Sequence, residues 1–137
     1  MHRTFAAVEP NLIIMDYWKK RKKAFCYAFK GIASLFVCEA HAKIHLLATV
    51  SVIACGLVFQ IEKWEWCAIS ICIGGVLMAE GFNTAIETLA DRITSDWDPM
   101  IGRAKDVAAG AVLLFVLASI VTGLLVFVPY FFKCVSH

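Results

Sequence analysis

Three long apolar blocks leave this chain little choice of solvent. Residues 44–61 run for 18 positions without Asp, Glu, Lys or Arg, and residues 107–132 run for 26. Between them, residues 66–86 are apolar over 21 positions but for a single charge, Glu80. A helix rises about 1.5 Å per residue, so about 20 residues cross the hydrocarbon core of a bilayer. Each block predicts one transmembrane helix. Composition agrees: 61% of the 137 residues are hydrophobic and 18% charged, against about 45–50% and about 25% in a soluble domain. A water-soluble globule and a disordered chain are both excluded. The first block starts too late and runs too long for a cleaved signal, with no A-x-A site after it, so none is expected.

Charge placement sets the orientation, because Lys and Arg are retained in cytoplasmic loops. Arg3, Lys19, Lys20, Arg21, Lys22, Lys23, Lys30 and Lys43 precede the first span, and Arg92, Arg103 and Lys105 lie between the second and third. Only Lys63 and Lys133 fall on the other side. The N-terminus and the second loop are therefore expected in the cytoplasm, with a turn at 62–65 and the C-terminus outside. The net charge of +2 implies no general attraction to nucleic acid. The six cysteines show no C-x-x-C pairing and lie mostly in apolar stretches, which predicts core packing rather than disulfides or a metal site.

The segment ahead of the first span is amphipathic. At 100° per residue, Phe25, Phe29, Ile32 and Phe36 fall within about 60° of one another, with Lys23, Tyr27, Lys30 and Ser34 opposite. This pattern predicts a helix over 19–40 lying in the headgroup plane, or packed on another protein. Glu39 projects about 40° from the centre of the apolar stripe, where the chain turns into the bilayer.

The second span carries the chemistry. Asn83, Glu87 and Asp91 follow Glu80 by 3, 7 and 11 residues, which places all four on one stripe about 80° wide. Counting from Trp66 at the outer side, Glu80 lies about 21 Å into the bilayer and about 9 Å short of its inner boundary, with Glu87 near that boundary. A carboxylate at such depth costs a few kcal/mol by insertion scales and marks a functional site. Glu80, in the drier position, suits a general base. Glu87 and Glu39 offer two hard oxygen donors, as Mg²⁺ takes when it also binds substrate phosphates.

A loop is expected over 91–106, containing Asp96, Trp97, Asp98, Arg103, Lys105 and Asp106, followed by the run Ala108-Ala-Gly-Ala111, which suits close helix packing. No G-x-x-x-x-G-K-[ST] or G-x-G-x-x-G occurs, so neither a Walker loop nor a protein-kinase glycine loop is present. His41 and His45 share a helix face but lack the H-E-x-x-H of a zinc site. Residue chemistry alone leaves two classes open: a cation-assisted reaction at the inner membrane boundary, or ion or proton movement. Carriers usually line their whole path with carboxylates, whereas the first and third spans have no Asp or Glu.

The stretch Glu80-Gly-Phe-Asn-Thr-Ala-Ile-Glu87 followed by Asp91, and the stretch Gly102-Arg-Ala-Lys105-Asp106-Val-Ala-Ala-Gly-Ala-Val-Leu113, resemble the prokaryotic diacylglycerol kinase family, which includes the undecaprenol kinases. The likeness covers about residues 20–132, including Phe29-Lys30-Gly31 and Glu39, and leaves the first 18 residues outside. It implies an all-α integral membrane protein with three spans after a surface helix, residues 1–18 being an N-terminal extension and 19–137 the lipid kinase domain. It also implies a homotrimer in the bacterial cytoplasmic membrane, with active sites shared between subunits at the cytoplasmic face. By the resemblance, Glu80 is the catalytic base and Asn83 its helper, and Glu39 and Glu87 bind Mg²⁺. Lys105 and Asp106 belong to the ATP site, Lys20, Tyr27, Lys30, Asp96, Trp97 and Asp98 are further nucleotide contacts, and Asp91 is a supporting residue.

Substrate signals divide. Diacylglycerol-specific members carry a second glutamate near the position of His45, whereas undecaprenol members resemble E-x-N-x-R-I-H. Lys43-Ile-His45 and Asp106-Val-Ala-Ala-Gly-Ala lean to the latter, though His41 replaces the asparagine. Asp91-Arg-Ile-Thr-Ser and Gly102-Arg-Ala-Lys lean to the former. The expected reaction is transfer of the ATP γ-phosphate to diacylglycerol, giving phosphatidic acid, with undecaprenol as the alternative acceptor.

Overall fold

The computed structural model describes residues 10–38 and 40–136, with side chains described over 15–37 and 41–136. Glu39, residues 1–9 and His137 lie outside the described residues. The described chain is helical, in the order α1 (Pro10–Cys38), α2 (Ala40–Phe59), α3 (Lys63–Ile93) and α4 (Pro99–Val135). It divides into two compact units between Ser34 and Leu35.

In the first unit, α1 begins at Pro10 rather than at residue 19. Proline has no N–H to lose in a first turn, and its φ is already helical. No glycine or proline interrupts residues 11–23, so the basic run is part of the helix rather than a tail.

The second unit contains the three spans. Helices α2, α3 and α4 are each long and apolar enough to cross a membrane. All three extend beyond the apolar blocks. α3 has 31 residues and is about 46 Å long, against about 30 Å of hydrocarbon. It continues through Glu87 and Asp91 to Ile93, and α4 starts at Pro99. The loop expected over 91–106 is thereby reduced to 94–98. Charged residues ended the apolar blocks without ending the helices, because Asp98 caps α4: its Oδ1 accepts from the backbone N–H groups of Met100 at 2.7 Å and Ile101 at 3.2 Å.

Packing is chiefly α3 on α4, with α2 on α3. At Gly75, buried in α3, an added Cβ would run into the Cε1 and Cζ atoms of Phe115 on α4. At Gly56 an added Cβ would lie 2.8 Å from the Trp66 ring, so both glycines allow close approach of neighbouring elements. A small core of Ile61, Ile69 and Val126, backed by Phe59, Trp66, Phe127 and Tyr130, ties the predicted outer ends of the spans together. Most other large apolar side chains are exposed, which a bilayer tolerates and water would not. The cysteines follow this pattern rather than the expected core packing. Cys26, Cys55, Cys67 and Cys134 are exposed and Cys72 is half-buried, all as free thiols, and the side chain of Cys38 lies outside the described residues. A thiol is small and apolar enough to meet lipid as readily as a core.

The outer turn also differs from expectation. Only residues 60–62 lie between α2 and α3, and Gln60 adopts a left-handed φ of 52° as α2 ends. Glu65, expected in that turn, is inside α3 and only 6% exposed. Its Oε2 accepts the Glu62 backbone N–H and the Tyr130 hydroxyl, each at 2.7 Å. One carboxylate thus caps α3 and fastens it to α4. Tyr130→Phe, which removes one of these donors from a buried acceptor, is expected to lower stability in detergent by about 1–3 kcal/mol. A thermal melt indistinguishable from wild type would remove this contact from the packing account.

Candidate active site

Within the second unit, the stripe predicted on α3 opens into a cleft. Glu80 is 4% exposed, and it lines a cleft of ≈ 410 Å³ together with Asn83, Glu87, His41 and His45, closed by α4 residues including Ala109 and Val116. Three helices therefore contribute to one site. Their order is local in origin: Glu80, Asn83 and Glu87 are successive turns of one face of α3, and His41 and His45 are one turn apart on α2.

The Asn83 amide is held in one direction. Its Nδ2 donates to Glu87 Oε1 at 3.0 Å. Its Oδ1 is buried without a hydrogen-bond partner. An unpaired buried acceptor costs about 1–3 kcal/mol, which a donor entering the cleft would relieve. Asn83 thus steadies Glu87 with one end and offers an acceptor with the other.

The nucleotide-side candidates form a second cleft of ≈ 520 Å³, about the 94–98 loop. Asp91, Asp96, Trp97, Asp98 and Lys105 all line it. Lys105 Nζ donates to Asp91 Oδ1 at 2.8 Å, which gives Asp91 a role in holding the lysine. Asp98 is engaged as the α4 cap, so its carboxylate serves the helix first. Asp106 is exposed and lines neither cleft. Asp91 lies 11 residues beyond Glu80, about 16 Å along α3, so the helix separates the two clefts by a fixed rise.

Three further candidates belong to the first unit and are described by their own contacts. Lys20 pairs with Asp16 at 2.8 Å; the hydrogen bond holds the Asp16 carboxyl below its ordinary range and lifts the Lys20 ammonium above its own. Lys30 Nζ stands 5.9 Å from the Tyr27 ring centroid, a cation–π contact. Glu39, the other expected metal ligand, lies outside the described residues.

The donor set suits a hard cation. Glu87 lines the cleft with a half-buried carboxylate, and among the described residues no three His, Cys, Asp or Glu side chains form a cage. Mg²⁺ is bound through one or two carboxylates while keeping waters and phosphate oxygens, so the residues present fit it. The two histidines carry no zinc motif and enter the sequence reading only as substrate signals; their i, i+4 spacing puts them on one face of α2, and α3 supplies the facing wall of the cleft. Glu65 was missed because its E-x-x-E spacing from Glu62 was read only as an outer turn.

Comparison with known proteins covers the same residues. A family model described as prokaryotic diacylglycerol kinase matches residues 26–127, a range that contains both clefts and excludes Lys20. The chain is 39% identical to an undecaprenol kinase of Bacillus subtilis over 107 residues, covering 78% of this chain and 87% of that protein. It is 31% identical to a diacylglycerol kinase of Escherichia coli over 102 residues, covering 73% and 82%. It is 29% identical to a diacylglycerol kinase of Synechocystis over 117 residues, covering 85% and 62%. A multi-pass chain with these motifs in register is a lipid kinase, a phosphotransferase with an alcohol as acceptor, and it belongs to the prokaryotic diacylglycerol kinase family.

Proposed function

We propose that this kinase phosphorylates a polyprenol, undecaprenol, rather than diacylglycerol, using ATP and Mg²⁺ at the cytoplasmic face of the bacterial inner membrane. The observation that carries the substrate reading is the 39% identity to an undecaprenol kinase across 87% of that protein, against 29–31% to the diacylglycerol kinases. The clefts explain why the sequence signals divided. Asp91, Thr94, Ser95, Gly102 and Lys105, from the segments that lean to diacylglycerol, line the cleft around the 94–98 loop. His41 and His45 line the cleft that holds Glu80. A lipid hydroxyl must reach Glu80, so residues beside Glu80 weigh more on lipid choice than residues about 16 Å away.

In the proposed reaction the lipid hydroxyl enters from the bilayer and lies between Glu80 and Asn83. Glu80 accepts the hydroxyl proton as the oxygen attacks the γ-phosphorus, and ADP leaves toward the cytoplasm. The second Nδ2 hydrogen of Asn83, the one not given to Glu87, donates to the hydroxyl oxygen and orients it for the transfer. Lys105, positioned by Asp91, sets its ammonium against the phosphates, where charge neutralisation dominates phosphoryl transfer. Glu87, and Glu39 by the family resemblance, would hold Mg²⁺, which when bound offsets phosphate charge. Asp106, Lys20, Tyr27, Lys30 and the 96–98 segment enter as nucleotide contacts on the same resemblance. So does assembly as a homotrimer with shared sites, which would complete a cleft that three spans only partly enclose.

Purified protein in lipid micelles, given labelled ATP, Mg²⁺ and either undecaprenol or diacylglycerol, tests the reading. Undecaprenol is expected to give a kcat/KM at least about tenfold higher. A preference for diacylglycerol of that size would reverse the substrate assignment, and labelling of neither lipid would defeat both.

A further inference from the structure

We propose that the apolar cleft next to the Glu80 site, between α2, α3 and α4, is a single-chain subsite: it takes the part of an isoprenoid chain nearest the acceptor hydroxyl and turns away lipids with ester groups beside theirs. The inference rests on the polyprenol reading above and deepens it. This cleft of ≈ 230 Å³ shares His45 and Val116 with the cleft that holds Glu80, so the two meet there. From that joint it runs toward the predicted outer ends of the spans. His45, Thr49 and Val52 on α2 and Val76, Ile73 and Ile69 on α3 are successive turns of its walls, with α4 as the third side. Val76 to Ile69 is about 10 Å of helix rise. Ile69 also belongs to the small buried core with Ile61 and Val126, so the cleft ends at that core. The remainder of a long chain would lie in the bilayer.

Hydrogen bonding decides what fits. The two hydroxyls in the walls are spent on their own helices: Thr49 Oγ1 donates to the His45 carbonyl and Ser119 Oγ to the Phe115 carbonyl, each at 2.8 Å. The thiol of Cys72 is only a weak donor. Beyond the His45 imidazole at the mouth, the cleft therefore offers no strong donor to a ligand. Diacylglycerol carries an ester on the carbon next to its hydroxymethyl group and a second ester on the carbon after that. Entering hydroxyl-last, it would bring two carbonyls and two chains into this space, and its carbonyls would leave water without a partner. A polyprenol brings one chain and no polar atom but the hydroxyl. Size argues against a second copy of the protein as occupant. A helix is about 10–12 Å across with its side chains, too thick to enter a cleft of ≈ 230 Å³.

The test labels the full-length protein in lipid micelles with a polyprenol carrying a diazirine on its second isoprene unit, and maps the cross-links by mass spectrometry. Adducts are expected within residues 48–52, 69–76 and 116–123. Excess undecaprenol should remove them, and the same amount of dioleoylglycerol should not. Gly123→Leu then fills the cleft. A Cβ added at Gly123 meets no atom within 4 Å, so the variant adds bulk without displacing a neighbour. It is expected to lose the adducts and to raise KM for undecaprenol by at least about tenfold, the scale on which a hydrophobic pocket responds to a misplaced hydrocarbon group. Its kcat and its KM for ATP should stay within about twofold, and Gly123→Ala should fall between it and wild type. Adducts elsewhere, equal competition by dioleoylglycerol, or an unchanged KM in Gly123→Leu would each overturn the proposal. So would dissociation of subunits in Gly123→Leu with labelling kept, which would give the cleft to a second copy. Wild-type turnover of the two lipids separates the two readings. A kinase that prefers undecaprenol without labelling in the cleft would sink the subsite alone, whereas one that phosphorylates only diacylglycerol would sink the substrate reading and the subsite with it.

Discussion

Glu80→Gln is expected to lower kcat by about 10²- to 10⁴-fold, the range contributed by a positioned general base, while nucleotide binding and the fold are kept. Glutamine fills the same space in a residue that is 4% exposed, and it can still hydrogen-bond a hydroxyl, but it cannot take its proton. Stability should hold or rise slightly, because a neutral amide is cheaper than a carboxylate in hydrocarbon. The 94–98 cleft proposed for the nucleotide lies about 16 Å further along α3, so KM for ATP should change by less than about twofold. The decisive measurement pairs turnover with a thermal melt. A variant that keeps more than about a tenth of wild-type kcat would remove Glu80 from the role of base. A large loss of melting temperature would instead identify Glu80 as a buried structural partner.

The second large effect concerns packing. Gly75→Val is expected to destabilise the protein by about 1–3 kcal/mol, because the new side chain occupies the position of the Phe115 ring. The seam between α3 and α4 is the main helix–helix contact of the chain, and spans in lipid associate through such close fits rather than through hydrophobic burial. Pairing the substitution with Phe115→Ala separates causes. In that background Gly75→Val should cost much less, giving a coupling of about 0.5–3 kcal/mol. Equal losses in both backgrounds, read from unfolding in detergent, would show that the ring is not what the glycine accommodates.

Much of this was legible before any coordinates. The three spans follow from long apolar blocks, and the Glu80, Asn83 and Glu87 stripe follows from the 100° step of one helix; both depend only on neighbours along the chain. What stayed hidden depends on neighbours across it. His41 and His45 gain meaning from the α3 carboxylates opposite them, and Glu65 gains its burial from Tyr130, 65 positions away. Helix ends were hidden for a different reason. Asp91, Arg92, Arg103 and Lys105 end an apolar pattern, yet a helix that has left the hydrocarbon has no reason to stay apolar. α3 and α4 therefore run on into the charged residues until Thr94 and Asp98, and the cleft around 94–98 is framed by two helix ends rather than by a long loop.

Because α3 is one unbroken helix from Lys63 to Ile93, it acts as a ruler laid across the hydrocarbon, longer than the layer it spans. The rise from Glu80 to Glu87 is set by backbone hydrogen bonds at about 10 Å, so the two residues keep their difference in depth along the helix. The remaining variable is the membrane itself. A bilayer thicker or thinner by about 3 Å moves the boundary of each leaflet by about 1.5 Å, one residue's rise against this scale. Bilayer thickness is in that sense part of the enzyme's geometry, and the chain measures the membrane it works in.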